Sequence, residues 1–125
     1  MSDRTAPRPT AAGSSRNVIV AKIVPGAEAE VARVFGESDS TDLPYALGVT
    51  ERSLYSLGDL YVHIVEFDRS ATEAMAVAAR QPGFRDISAQ LQPYISPYLS
   101  TWRSPADASA KQFYSWRPNP SGGRP

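Results

Sequence analysis

The chain has 125 residues, with 13 basic and 13 acidic side chains, one histidine, 11 prolines and no cysteine. That length suits one domain, at roughly 100–200 residues each, and leaves enough buried surface for a core. The missing cysteines exclude a disulfide scaffold, a thiolate metal site and a thiol nucleophile, one histidine excludes a multi-histidine metal cage, and a net charge of zero argues against nucleic acid as the main partner.

Residues 1–16 hold Arg4, Pro7, Arg8 and Pro9 with no apolar h-region, so they read as a disordered leader and not a secretory signal. No apolar run approaches the ~20 residues of a membrane span, and a cytoplasmic protein is expected. The folded domain is expected over residues 17–116, and residues 117–125 (RPNPSGGRP) read as a solvated tail. Asn17 to Val24 is a β-branched, nearly continuous apolar run that predicts a strand, ended by Pro25-Gly26. Ala27, Val31, Val34 and Phe35 then form one helical stripe, with Gly36 as the stop. Residues 37–44 (ESDSTDLP) carry turn and cap chemistry, and Pro44 argues against a helix across it.

Leu47–Leu57 and Leu60–Phe67 predict two strands joined through Gly58-Asp59, a dipeptide suited to a two-residue hairpin loop. Ser70 to Arg80 predicts a helix whose Ser70 and Glu73 fit a capping box, broken by Gln81-Pro82-Gly83. A second helical piece starts near Phe84, and Pro93 and Pro97 make the stretch up to Trp102 kinked or irregular. Gln112–Trp116 predicts a short final strand. The order β-α-β-β-α-β describes an α+β, ferredoxin-like fold, a four-stranded antiparallel sheet with helices on one face. Apolar residues on both sides of the first three strands leave a second face for another subunit, so a homodimer of the dimeric α+β barrel type is expected.

The hairpin also fixes which side chains share a face. With Gly58-Asp59 as the loop, Leu57 lies opposite Leu60, Ser56 opposite Tyr61, Leu54 opposite His63 and Arg52 opposite Val65. Thr50, Arg52, Leu54, Ser56, Tyr61, His63, Val65 and Phe67 then line one surface, with Arg52 and His63 as diagonal neighbours ~7–8 Å apart at their α-carbons. A cation, an imidazole, a phenol and apolar groups together suit a pocket for an aromatic, oxygen-rich molecule. On the opposite face Glu51 faces Glu66, which requires solvent or a matching arginine, for instance from a partner subunit. His63 is the candidate for acid–base chemistry, although a lone histidine in a strand is commonly structural. Arg52 has a competing role in an ion pair, and Asp39 and Asp42 in turns. Tyr61, Leu54 and Phe67, with Tyr94 and Trp102, are the candidate substrate contacts. No phosphate loop, paired-carboxylate metal motif or nucleophile elbow is present.

Several stretches together resemble the small polyketide cyclases of aromatic (type II) polyketide pathways, of the tetracenomycin cyclase type. They are Asp39-Ser40-Thr41-Asp42-Leu43-Pro44, Leu47-Gly48-Val49, Asp59-Leu60-Tyr61-Val62-His63, Pro93-Tyr94-Ile95-Ser96-Pro97-Tyr98 with Trp102, and Phe113-Tyr114-Ser115-Trp116. The resemblance implies a homodimer without cofactor or metal. It implies an enzyme that guides intramolecular aldol-type condensation and dehydration of a partly cyclised poly-β-ketone in antibiotic biosynthesis. Carried over by position, His63 matches the family's pocket histidine, Arg52 its second-strand arginine and Asp39 its loop aspartate. Ser38, a further candidate substrate contact, stands where the family has a histidine, so a two-histidine mechanism does not transfer. Acyl carrier protein and other type II synthase subunits are the partners such a pathway supplies. Two rival readings are a cofactor-independent monooxygenase of the same shape and a non-catalytic polyketide-binding subunit.

Overall fold

The computed structural model describes residues 14–101 and 105–118. Its sheet holds β1 (Ser15–Ile23), β2 (Val49–Leu57), β3 (Leu60–Phe67) and β4 (Ile95–Pro97), in the spatial order β2-β3-β1-β4 with every neighbouring pair antiparallel. Between them run α1 (Glu28–Asp39), α2 (Leu43–Leu47), α3 (Ala71–Ala78) and α4 (Pro82–Leu91). This is the expected ferredoxin-like arrangement, with one strand in an unexpected place. β1 begins at Ser15, earlier than the apolar pattern indicates, and Arg16 already pairs with Glu66 on β3.

The final strand is Ile95–Pro97, not Gln112–Trp116. Ile95 sits opposite Ile23 at the sheet edge, where a proline such as Pro97 is tolerated because its missing N–H can face away from the ladder. Residues 112–116 form no strand; Phe113, Tyr114 and Trp116 are exposed. Just before that segment Ser109 bridges Ile19 and the Ala110 N–H donates to the Val18 carbonyl.

α1 does not stop at Gly36 but runs on to Asp39. An interior glycine costs a helix only about 1 kcal/mol, and Arg33 braces the turn by reaching both Glu30 and Glu37 at 3.3 Å. The helix ends where Ser40 and Thr41 turn their hydroxyls onto the carbonyls of Glu37 and Ser38. Pro44 does not prevent a helix either, because it lies in the first turn of α2, where no N–H is needed. Gly48 closes α2 with φ +79°, and a Cβ there would collide with the side chains of Asp68 and Arg69. At the start of α3 the capping box forms as read: the Glu73 N–H donates to the Ser70 hydroxyl, and the Ser70 N–H to the Glu73 carboxylate, both at 3.1 Å. α4 opens at Pro82, two residues before Phe84.

The hairpin register is the one the Gly58-Asp59 loop dictates, with Leu57 opposite Leu60, Ser56 opposite Tyr61, Leu54 opposite His63 and Arg52 opposite Val65. It holds up to a bulge between Val49 and Glu51. There the parity flips, so Val49 and not Thr50 faces Phe67, and Thr50 points to solvent. β3 alternates strictly: Tyr61, His63, Val65 and Phe67 are buried on the helix-covered side, and Leu60, Val62, Ile64 and Glu66 are half-buried on the other. Glu51 does face Glu66, and the compensating cation comes from the same chain, since Arg16 on β1 reaches Glu66 at 3.0 Å.

Two clusters make up the core on the helix side. One gathers Ala21, Ile23, Ala27, Val31, Phe35 and Tyr61, with Leu54, Ile87, Leu91, Tyr94 and Ile95 packed against it. The other gathers Leu47, Val65, Phe67, Ala74 and Ala78.

Candidate active site

Three elements converge on Arg52. Its Nε donates to Asp39 Oδ2 at 2.9 Å and its Nη2 to Asp39 Oδ1 at 2.8 Å, a bidentate pair from β2 to the last residue of α1. Its Nη1 lies 3.1 Å from His63 Nε2 on β3. The guanidinium carbon also stands 5.0 Å from the centre of the Phe35 ring, and that ring meets the His63 imidazole edge-on at 5.1 Å. Phe35 and Asp39 are one helical turn apart on α1, so a single face of that helix supplies both the ring and the carboxylate. Tyr61 follows on β3, edge-on to His63 at 6.3 Å.

This group sits at the boundary between core and solvent. The Arg52 side chain is 15% exposed and Asp39 37%, whereas His63 and Tyr61 are buried at 7% and 4% residue exposure. Burial first, and then the Arg52 charge, lower the His63 pKa to about 4, with Asp39 pulling the other way, so the ring is neutral at pH 7. Burial pushes the Tyr61 phenol far above its ordinary value, with Arg52 opposing, so it keeps its proton.

Asp39, Arg52, His63 and Tyr61 are therefore brought together, and Leu54 lies beside them, opposite His63. Asp39 belongs to the helix and not to the loop after it. Tyr94 packs on the same core cluster. Phe67 is in the other cluster, among Leu47, Ala74 and Ala78. Ser38 contributes its backbone carbonyl to Thr41, and no hydrogen bond ties its side chain to Arg52 or His63 among the described residues. Trp102 lies outside the described residues. Phe35 is the residue that the sequence reading assigned to the helical stripe alone. Its signal was the spacing of four to Asp39, visible only once the helix continues past Gly36. No group of three potential metal ligands occurs among the described residues.

Fold and site together define a small α+β protein whose helix-covered sheet face carries a charged and polar cluster in an apolar setting. The chain belongs to the polyketide synthesis cyclase family, which it matches over residues 15–117. It is 44% identical to an uncharacterised protein of Streptomyces coelicolor over 84% of this chain and 96% of that one. To polyketide synthase CurG of Streptomyces cyaneus it is 42% identical over 79% and 94%. It is 35% identical to tetracenomycin F2 cyclase of Streptomyces glaucescens over 81% and 93%. The solved structure of that last protein superposes with a TM-score of 0.76, covering 82% of this chain and 97% of that one. A cofactor-independent oxygenase from Streptomyces nogalater shares the fold at 22% identity and a TM-score of 0.54.

Proposed function

We propose that the protein catalyses regiospecific intramolecular aldol-type ring closure, followed by loss of water, on a partly cyclised aromatic poly-β-ketone. The reading has it act in the cytoplasm without cofactor or metal, in antibiotic biosynthesis. The observation that carries this reading is Arg52, held by Asp39 and set against His63 on the helix-covered face of a cyclase-family fold. A methylene between two ketones is acidic enough that enolisation needs little help. The harder task is choosing which carbon attacks which carbonyl in a flexible chain, and a shaped apolar surface does that by holding one near-attack geometry. Arg52 is suited to stabilise the developing enolate or alkoxide, because its orientation is fixed before reaction. Leu54 and Tyr94 supply apolar wall, and shape contributes more than acid–base power. His63→Ala then slows turnover without abolishing it, whereas Leu54→Trp destroys correct cyclisation.

The test is incubation with the metabolite that accumulates in a polyketide pathway lacking its cyclase. A product lighter by one water, formed faster than in buffer, supports the reading. Oxygen uptake with a product heavier by one oxygen atom makes the protein a monooxygenase instead, and saturable binding without acceleration makes it a carrier subunit.

The functional unit in this reading is a homodimer. Tyr55 and Leu57 on the uncovered sheet face are 58% and 78% exposed, and Phe113, Tyr114 and Trp116 add a further exposed aromatic run. Sedimentation at micromolar concentration gives twice the chain mass if a second copy covers them. The substrate arrives free or on an acyl carrier protein, and comparing the two forms at equal concentration decides between them.

A further inference from the structure

Arg52 and His63 form a contact that only one protonation state of the imidazole permits. An arginine side chain has donors and no acceptor and stays charged in proteins. At 3.1 Å from Arg52 Nη1, His63 Nε2 must therefore accept, which leaves the single ring proton on Nδ1. Of its charged and titratable neighbours, the Asp39 carboxylate alone favours a charged ring, and burial and the Arg52 charge outweigh it. Arg52 approaches from β2, the Asp39 carboxylate on α1 is occupied by Arg52 Nε and Nη2, Tyr61 on the same strand is a neutral phenol, and β1 presents apolar Ile19 opposite His63.

Two buried donors then lack a protein acceptor. Among the described residues neither the His63 Nδ1–H nor the Tyr61 hydroxyl is hydrogen-bonded, although the residues are only 7% and 4% exposed and their rings lie 6.3 Å apart. A buried donor without a partner loses its hydration and recovers nothing. With their rings 6.3 Å apart and a cation held beside His63, both donors are suited to an acceptor that arrives with a ligand.

We propose that Arg52 locks His63 as its neutral Nδ1–H tautomer, and that His63 Nδ1–H and Tyr61 O–H together donate to the substrate oxygen that becomes the enolate or alkoxide. His63 is on this view an uncharged hydrogen-bond donor and not a proton shuttle. The catalytic half of the statement rests on the cyclase reading; the tautomer does not.

The chain contains one histidine, so the ring nitrogens of the untagged, 15N-labelled protein give one pair of signals. A protonated Nδ1 and a bare Nε2, unchanged between pH 6 and pH 8, are expected, and Arg52→Met should release the lock and mix the tautomers. An Nε2–H tautomer or an imidazolium in that range overturns the proposal whatever the protein turns over. For the donor role, asparagine places an amide where Nδ1 stands and glutamine places one where Nε2 stands. His63→Asn should keep turnover within about tenfold of the parent, while His63→Gln and Tyr61→Phe each lose on the order of 10²-fold in kcat with KM little changed. Equal losses in the Asn and Gln variants, or a fully active Tyr61→Phe, overturn it. Titration with 1,8-dihydroxyanthraquinone gives a readout free of turnover: its oxygens should shift the Nδ1–H proton signal downfield. If that shift occurs in a protein that cyclises nothing, the donor pair stands and the cyclase reading falls. If the signal does not move on binding, the donor pair falls.

Discussion

The helix-covered face of the sheet has two ends built on opposite terms. Around Phe67 the packing is wholly apolar and tight, with Ala74 and Ala78 at 0% exposure so that α3 approaches the strands closely. Around His63 the same face carries a buried imidazole, a buried phenol, a guanidinium and a carboxylate. Both ends use the same strand, since β3 supplies Tyr61 and His63 to one and Val65 and Phe67 to the other. The contrast shows where this small domain spends stability. Polar groups with unmet hydrogen-bonding capacity weaken a core, and proteins keep them where a ligand completes them.

The largest effect expected from breaking this contrast is in Arg52→Met. The thioether chain can still pack on Phe35, and Asp39, already 37% exposed, takes up water. Stability should fall by about 1–3 kcal/mol, because the partly exposed ion pair contributes little but the buried His63 Nε2 loses its donor. Turnover should fall by on the order of 10²–10³-fold, the cost of losing one preorganised oxyanion partner. A thermal melt and a progress curve on the same sample read both. Next is the acid limb of stability. The histidine pKa is about 4 in the folded chain against 6.5 for the free side chain, so the unfolded state binds a proton first. Stability is complete above pH 6.5 and declines as pH falls toward 4, by on the order of 3 kcal/mol at 1.36 kcal/mol per pKa unit. Urea unfolding at several pH values should show that decline in the parent and lose it in His63→Gln.

The two ends were also unequally legible in the sequence. The hairpin around Gly58-Asp59 determined which side chains face Arg52 and His63, because a two-residue loop and the period of two leave one register. The capping box at Ser70 was equally local. What escaped depended on context. A glycine at 36 and a proline at 44 read as stops, yet α1 passes the first and α2 starts with the second, since each residue's cost is small where these helices place it. Phe35 therefore looked like simple core, and its turn-mate Asp39 like a loop residue. The bulge before Glu51 has no composition signal, so Thr50 was assigned to the face that Val49 takes, while Phe67 keeps the expected face but packs in the second cluster. The last strand was misplaced because an aromatic run such as 113–116 satisfies a strand pattern as well as Ile95–Pro97 does, and pairing with Ile23 decides it.

At the apolar end, Ala74→Leu should destabilise by about 1–3 kcal/mol, the usual cost of forcing methylenes into a filled core. Turnover per folded molecule should stay near the parent's, because the substitution is on the side of the face away from Arg52. Chemical unfolding together with an active-fraction assay separates the two quantities, and a loss of turnover beyond the unfolded fraction would join the two ends into one site.

The smallest effect is the most telling, since its sign differs between the ends. Tyr61→Phe removes a hydroxyl that no described residue satisfies and leaves the ring among Ala21, Ile23, Val31 and Phe35. Deleting an apolar group from the other end can only open a cavity. Deleting this polar one removes an unmet desolvation cost, so the variant should be more stable than the parent by roughly 1 kcal/mol. For a domain of this size that is a rise of about 4 °C in Tm, within reach of calorimetry. A Tm that falls instead would mean that the Tyr61 hydroxyl is satisfied in solution, and the polar end would then be as complete a core as the apolar one.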